Sequence, residues 1–167
     1  MTFSGARVEI GAVQAAWDQV SIVRTSHDQS QWPVLSQRIA EATALYGAAE
    51  LLRGTVFLVD GALHQIGAGR PGRKAFVEKF IKTLMGKVGQ WGDFLESADL
   101  PVVAQVVRVS FDGGDPVAWR DGAGPVSQSE PRAMTVALAL IADFVDSVDG
   151  PGACEQALLT ALGDCLD

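Results

Sequence analysis

Residues 55–66, TVFLVDGALHQI, decide the fold that the sequence predicts. Two short apolar runs, residues 55–59 and 62–66, flank the dipeptide Asp60-Gly61. Aspartate followed by glycine between two such runs is the strongest local signal for a tight β-hairpin. We therefore predict two antiparallel strands here, joined by a turn at Asp60-Gly61.

A second hairpin is predicted further along the chain. Residues 102–111 are rich in valine and long enough for a central strand, residues 112–115 have turn chemistry, and residues 116–120 return as a strand. Apolar residues at helical spacing predict the remaining elements as helices. One of these helices starts at Trp32-Pro33 and ends before Gly54.

The predicted order of elements is α-α-β-β-α-β-β-α-α. Hairpins without a required strand–helix–strand crossover favour an antiparallel sheet packed against helices. A length of 167 residues is typical of one domain. The prediction is therefore a single α+β domain that spans residues 1–167.

The net charge of −7 is unevenly distributed. Residues 121–167 hold eight carboxylates against Arg132 alone, so this C-terminal quarter carries the whole excess. Such a surface repels nucleic acid and anionic membranes and attracts a basic protein. No apolar run approaches the ~20 residues of a membrane span, and the first ten residues lack a signal-peptide core. We expect a cytoplasmic protein.

Two predicted helices carry charges at the end where the helix dipole disfavours them. Three cations crowd the start of one helix, and three carboxylates crowd the end of another. They are Arg70, Arg73 and Lys74, and Asp143, Asp146 and Asp149. We expect a ligand, a partner or the opposite cluster to compensate each set.

The cations lie beside a glycine-rich loop, residues 67–72, that matches G-x-G-x-x-G. We interpret this loop as a turn and not as a dinucleotide-binding motif, because the preceding strand belongs to a hairpin. Free N–H groups at the helix start and nearby cations still predict an anion site. We assign Arg70, Arg73, Lys74 and the neighbouring His64 to it.

The carboxylates Asp143, Asp146 and Asp149 are candidates for a contact with a basic partner. Trp32 and Trp119, at a helix start and in a hairpin, are interpreted as packing in the core or on a sheet face, with exposure and anchoring of such a partner as the alternative. Carboxylates without a histidine make a poor zinc site, so no metal is assigned. No catalytic set and no cofactor motif can be identified, and His64 lacks an oriented nucleophile.

The order of the predicted elements loosely resembles the roadblock-type dimerisation modules. Residues 53–61, RGTVFLVDG, are similar to the opening hairpin of that family. In size, acidity and element order the chain is also similar to the small acidic chaperones of secretion systems. We assign the chain to neither family.

The sequence favours a protein-binding module of the adaptor, chaperone or immunity-inhibitor type, with self-association. Its acidic C-terminal surface and exposed aromatic residues would make the contact. The alternative is an enzyme or sensor that binds a small phosphate- or carboxylate-bearing ligand at residues 67–72 and the following helix start.

Overall fold

Eight α-helices and three short 3₁₀ turns form the part of the chain that the computed structural model describes, residues 8–25 and 29–166. His27 and Asp167 lie outside this part. The helices are α1 (Ile10–Thr25), α2 (Trp32–Tyr46), α3 (Ala48–Gln65), α4 (Lys74–Gly89), α5 (Leu100–Phe111), α6 (Pro116–Asp121), α7 (Glu130–Asp149) and α8 (Ala153–Leu166). The 3₁₀ turns are Gln29–Gln31, Gly92–Phe94 and Ser97–Asp99.

Helices α3 and α7 lie at the centre of the bundle and contact each other. Each is apolar on almost every side, which is typical of a helix surrounded by other helices. Helices α1 and α8 pack against both of them, α2 packs against α1 and α3, and α4 lies between α5 and α7. The prediction of a buried helix over residues 132–148 is confirmed by α7.

The α+β prediction is wrong, because the described residues contain no β-strand. Residues 55–59 and 62–65 lie within α3, and the Asp60-Gly61 dipeptide is buried in the middle of that helix. The second predicted hairpin is also helical, since residues 102–111 belong to α5 and residues 116–120 to α6. The similarity of residues 53–61 to a roadblock-type hairpin fails for the same reason.

Gly47, and not the predicted Gly54, ends the helix that begins at Trp32. The helix that begins at Trp32 ends at Tyr46, because Gly47 (φ +85°) interrupts it and α3 starts at the next residue. Gly54 lies inside α3, where a Cβ atom would come within 3.0 Å of the backbone of Ala12 and Val13. Glycine therefore allows α1 and α3 to cross in backbone contact.

Prolines mark two helix starts that were predicted as strands. Pro101 and Pro116 lie in the first turns of α5 and α6, where a missing N–H leaves no hydrogen bond unmade. The Asp115 side chain caps α6 by accepting a hydrogen bond from the Ala118 N–H at 3.1 Å.

No single helix in the described ranges is both long enough and apolar enough to cross a membrane. Helices α2 and α3 reach that length and composition only together, and the chain bends by 111° between them.

Candidate functional site

The start of α4 forms one wall of an open cleft of about 410 Å³. The end of α5 forms the opposite wall, and the loop before α4 closes one end. The lining residues are Gly69, Arg70, Pro71, Gly72, Arg73, Lys74, Val77, Glu78, Arg108, Phe111 and Asp112. The structure therefore brings three of the four predicted ligand-binding residues together, and it adds Arg108.

The cleft is positively charged although the chain is acidic. Four of its lining residues are cations and two are carboxylates, which leaves an excess of two positive charges. Arg70 and Lys74 are exposed, and neither makes an ion pair with the part of the chain that the structure describes. These two side chains are placed to meet a ligand from solvent.

Arg108 spans the cleft from α5 to α4. Its Nε atom lies 3.2 Å from Glu78 Oε1, and its Nη2 atom lies 3.3 Å from Glu78 Oε2. The hydrogen bond from Arg108 lowers the pKa of Glu78. Glu78 is therefore ionised; it pairs with Arg108 and also attracts Lys74, so it offsets part of the positive charge of the cleft but makes no ion pair with Arg70.

Arg73 has a structural role at the same place. Its Nη1 atom donates a hydrogen bond to the Ile66 carbonyl at 2.6 Å, and its guanidinium lies 4.3 Å from the centre of the Phe76 ring. Gly67 (φ +100°) makes room for it, because a Cβ atom there would overlap the guanidinium. The Arg73 charge is unfavourable at the start of α4, but its hydrogen bond stabilises the end of α3.

The loop of residues 67–72 is a turn, as predicted, but it lies between helices rather than after a strand, and a contact with α5 holds it where a flexible turn was predicted. The Gly69 N–H donates to the Phe111 carbonyl at 3.0 Å, which ties the loop to the end of α5. The Arg73 side chain does not cap α4. The N–H groups of the first turn of α4 therefore have no side-chain partner from the N-cap residue and can bind an anion.

His64 does not line the cleft. Its Nδ1 atom lies 2.7 Å from the Asp60 carbonyl oxygen, one turn earlier in α3. The buried Ser110 hydroxyl donates to Asp60 Oδ1 at 2.6 Å. Although Ser110, Asp60 and His64 lie close together, the Ser110 hydroxyl is hydrogen-bonded to Asp60 and buried. The arrangement joins α3 to α5 and lacks the serine–histidine contact of a catalytic triad.

The acidic cluster at the end of α7 is compensated by Arg24, at the end of α1. Arg24 Nε lies 2.7 Å from Asp143 Oδ1, and Arg24 Nη2 lies 2.5 Å from Asp146 Oδ2. Asp149, the third member, is exposed. The acidic cluster is therefore paired with Arg24, and the basic cluster at the start of α4 does not neutralise it.

Asp146 also stabilises the start of α8. Its Oδ1 atom accepts a hydrogen bond from the Cys154 N–H at 2.9 Å. Burial alone would raise the pKa of Asp146, but this backbone bond and the hydrogen bond from Arg24 lower it below its ordinary value. The dipole of α7 disfavours a negative charge at this position, whereas the dipole of α8 favours it.

Most carboxylates of the C-terminal quarter also have partners. Asp121 Oδ1 lies 3.0 Å from Arg53 Nε, and Glu130 forms a buried ion pair with Arg120 at 2.7 Å. Glu155 accepts a hydrogen bond from Trp17 Nε1 at 3.4 Å. Three arginines from earlier in the chain, Arg24, Arg53 and Arg120, therefore compensate part of the net charge of residues 121–167.

Trp32 and Trp119 are half-buried and packed against the core, which agrees with the core-packing interpretation and not with exposure as partner anchors. The Trp32 ring stacks with Phe94 at 5.1 Å and with Trp91 at 5.8 Å between ring centres. Cys154 is a free, buried thiol, and burial raises its pKa to about 12, so it is a poor nucleophile at neutral pH.

Within the described ranges, no three histidine, cysteine, aspartate or glutamate side chains lie together in a group that could hold a metal ion. Comparisons with protein-family models, with curated proteins and with solved structures found no match.

Proposed function

We propose that the protein is a binding module for a small anion, and that the cleft between α4 and α5 is its site. The observation that carries this proposal is the pair of exposed cations, Arg70 and Lys74, beside the uncapped start of α4. Two unpaired cations in one cleft are a notable feature of a chain with a net charge of −7.

The chemistry of the cleft fits a phosphate or carboxylate group. The N–H groups of the first turn of α4 can donate hydrogen bonds to an anion, and the helix dipole favours negative charge there. Arg70 supplies a planar fork for two parallel hydrogen bonds, and Lys74 supplies a compact charge. Neither histidine, cysteine nor a hydroxyl side chain lines the cleft. We therefore propose binding without catalysis.

Calorimetric titration with pyrophosphate and with citrate, at low ionic strength, tests this proposal. The two probes distinguish a preference for phosphate from a preference for carboxylate. In the double variant Arg70→Ala/Lys74→Ala, we expect the affinity for the preferred probe to fall at least tenfold, since a hydrogen bond to a charged group contributes about 1.5–3 kcal/mol. Both side chains are exposed, so the variant is expected to fold normally.

Lys82→Ala is the matched control, because Lys82 is an exposed cation of α4 that does not line the cleft. Its affinity for the probe should equal that of the unchanged protein. The proposal fails if neither probe binds, or if the double variant binds as tightly as the control.

The protein-binding alternative has less support from the positions of its residues. Asp143 and Asp146 are engaged by Arg24, and Trp32 and Trp119 pack against the core. Asp149 alone among the five proposed contact residues is both exposed and without an ion pair in the described part of the chain. A partner would therefore meet fewer free groups than the sequence suggests.

A further inference from the structure

A second concave site lies on the other side of α4, where this helix packs against α7. It is an apolar groove of about 250 Å³ that opens to solvent. The lining residues are Phe76, Lys79, Phe80, Thr83, Leu84, Lys87, Leu140 and Phe144. No residue lines both sites, although Phe76 adjoins the basic cleft through the Arg73 guanidinium above its ring, and Phe80 through Phe111.

The apolar floor of the groove is rigid and only partly covered. The Phe80 ring makes edge-to-face contacts with Phe144 at 5.3 Å and with Phe111 at 5.5 Å between ring centres. Such pairs fix the ring positions. Phe80, Leu140 and Phe144 pack against the core but are only partly buried. The groove therefore offers apolar surface that a ligand could remove from water.

The rim of the groove is positively charged. Lys79 and Lys87 are both exposed and lie eight residues apart on α4, so they flank the aromatic floor along the helix. Neither makes an ion pair with any described residue, and no carboxylate lines the groove. An apolar floor with cations at its edge complements a molecule that has an apolar body and one negative end.

We propose that this groove binds a medium-chain fatty carboxylate, with the alkyl chain on the phenylalanine rings and the carboxylate at Lys79 or Lys87. The volume equals roughly eight water molecules at ~30 Å³ each, and a methylene group is similar in size to water. A chain of about eight carbons therefore fills the groove. The proposal uses other residues than the basic cleft and stands independently of it.

Calorimetric titration with butanoate, hexanoate and octanoate tests the apolar contact. We expect the affinity to rise about tenfold for each two methylene groups, because each adds buried apolar area. Octanol, which lacks the charge, should bind several-fold more weakly than octanoate. An affinity that does not depend on chain length would overturn the proposal.

Variants at exposed positions separate the groove from other sites. Thr83→Trp places a large ring over the groove without altering the core, so octanoate binding should be lost while the melting temperature is retained. In Lys79→Met/Lys87→Met, the affinity for octanoate should fall to that for octanol, and Lys82→Met should bind octanoate normally.

Two results would overturn the proposal, the first by placing octanoate at another site and the second by giving the groove another occupant. In the first, octanoate binding survives Thr83→Trp and is lost in Arg70→Ala/Lys74→Ala, which would place the carboxylate in the basic cleft. In the second, light scattering shows a dimer that Thr83→Trp converts to a monomer and octanoate fails to bind, which would make a second copy of the chain the occupant.

Discussion

Gln19 is the residue whose surroundings contrast most with its chemistry. It lies on α1 among buried apolar residues and is 1% exposed. Neither its Oε1 nor its Nε2 atom has a hydrogen-bond partner in the part of the chain that the structure describes. Asp60 is buried to the same extent, but the Ser110 hydroxyl satisfies it. Buried amide groups without partners destabilise a fold.

Replacing Gln19 by leucine should therefore stabilise the protein. We expect the free energy of unfolding to rise by about 1–2 kcal/mol, because an unsatisfied buried polar group costs about 1–3 kcal/mol. Urea denaturation measures the change. Gln14→Leu, at an exposed position of the same helix, controls for the added apolar surface and should change stability little. A loss of stability in Gln19→Leu would show that the carboxamide is hydrogen-bonded in solution.

At the residue scale, the sequence predicted the unfavourable charges but not what compensates them. Arg24 is 119 and 122 residues from its two acidic partners, so no local spacing indicates the contact. Arg108 reaches the basic cleft from a segment that was predicted as a strand. Arg70, Arg73 and Lys74 could be placed in the cleft because all three lie within five residues of one helix start.

At the scale of elements, the helix α3 explains why the predicted fold was wrong. A short, continuous apolar run is compatible both with a buried strand and with a buried helix, and periodicity cannot separate them. The β-branched residues of 55–59 favour a strand, but helix packing on every side overrides that preference. The surface helices α2 and α4 were easier to predict from the sequence, because each has one polar face and its apolar residues therefore recur at helical spacing.

Helix α5 did carry a helical signal that its valines obscured. Gln105 and Arg108 are three residues apart and hydrogen-bonded to each other at 3.2 Å, which is contact geometry of one helix face. Pro101, directly before the predicted strand of residues 102–111, lies in the first turn of α5. Proline fits both places, so this residue type alone does not fix the boundary.

The contact between α7 and α8 gives a pH-dependent prediction. The folded state lowers the pKa of Asp146, so the carboxylate contributes stability above its unfolded pKa of about 3.9 and loses it as the pH falls through the lower folded value. Asp146→Asn should lower the free energy of unfolding by about 1–2 kcal/mol at pH 7. The difference from the unchanged protein should shrink below about pH 4.

Asp149→Asn is the control for this measurement. Asp149 ends the same helix but is exposed, so its replacement should have little effect at any pH. Chemical denaturation of both variants across the acidic range provides the data. A difference for Asp146→Asn that stays constant down to pH 3 would contradict the assigned role of the charge.

At the scale of the whole molecule, the distribution of charge acquires a structural meaning. The N-terminal part of the chain supplies Arg24 and Arg53, and the acidic C-terminal quarter supplies their partners Asp143, Asp146 and Asp121. Packing of α1 against α7 and of α3 against α6 brings these oppositely charged residues together. A segment that looked like a surface for a partner is thus partly an internal contact of the chain.

The helical architecture itself is directly testable. We expect a far-UV circular-dichroism spectrum with the double minimum of a helical protein and an infrared amide I band without a sheet component. The bundle of eight helices in the described part of the chain gives no source for a sheet signal. A strong sheet component in the folded protein would contradict the helical structure and support the hairpin that the sequence predicts for residues 55–66.

The hydrogen bond from the Cys154 N–H to Asp146 makes the attachment of α8 more sensitive to acid than the rest of the bundle. Because one carboxylate holds the first turn of α8, its protonation should let this helix detach while the rest of the bundle stays folded. Detachment would uncover Val13 and Leu58, which line the seam under α8. Acid below about pH 4 should therefore accelerate amide hydrogen exchange in the C-terminal helix first.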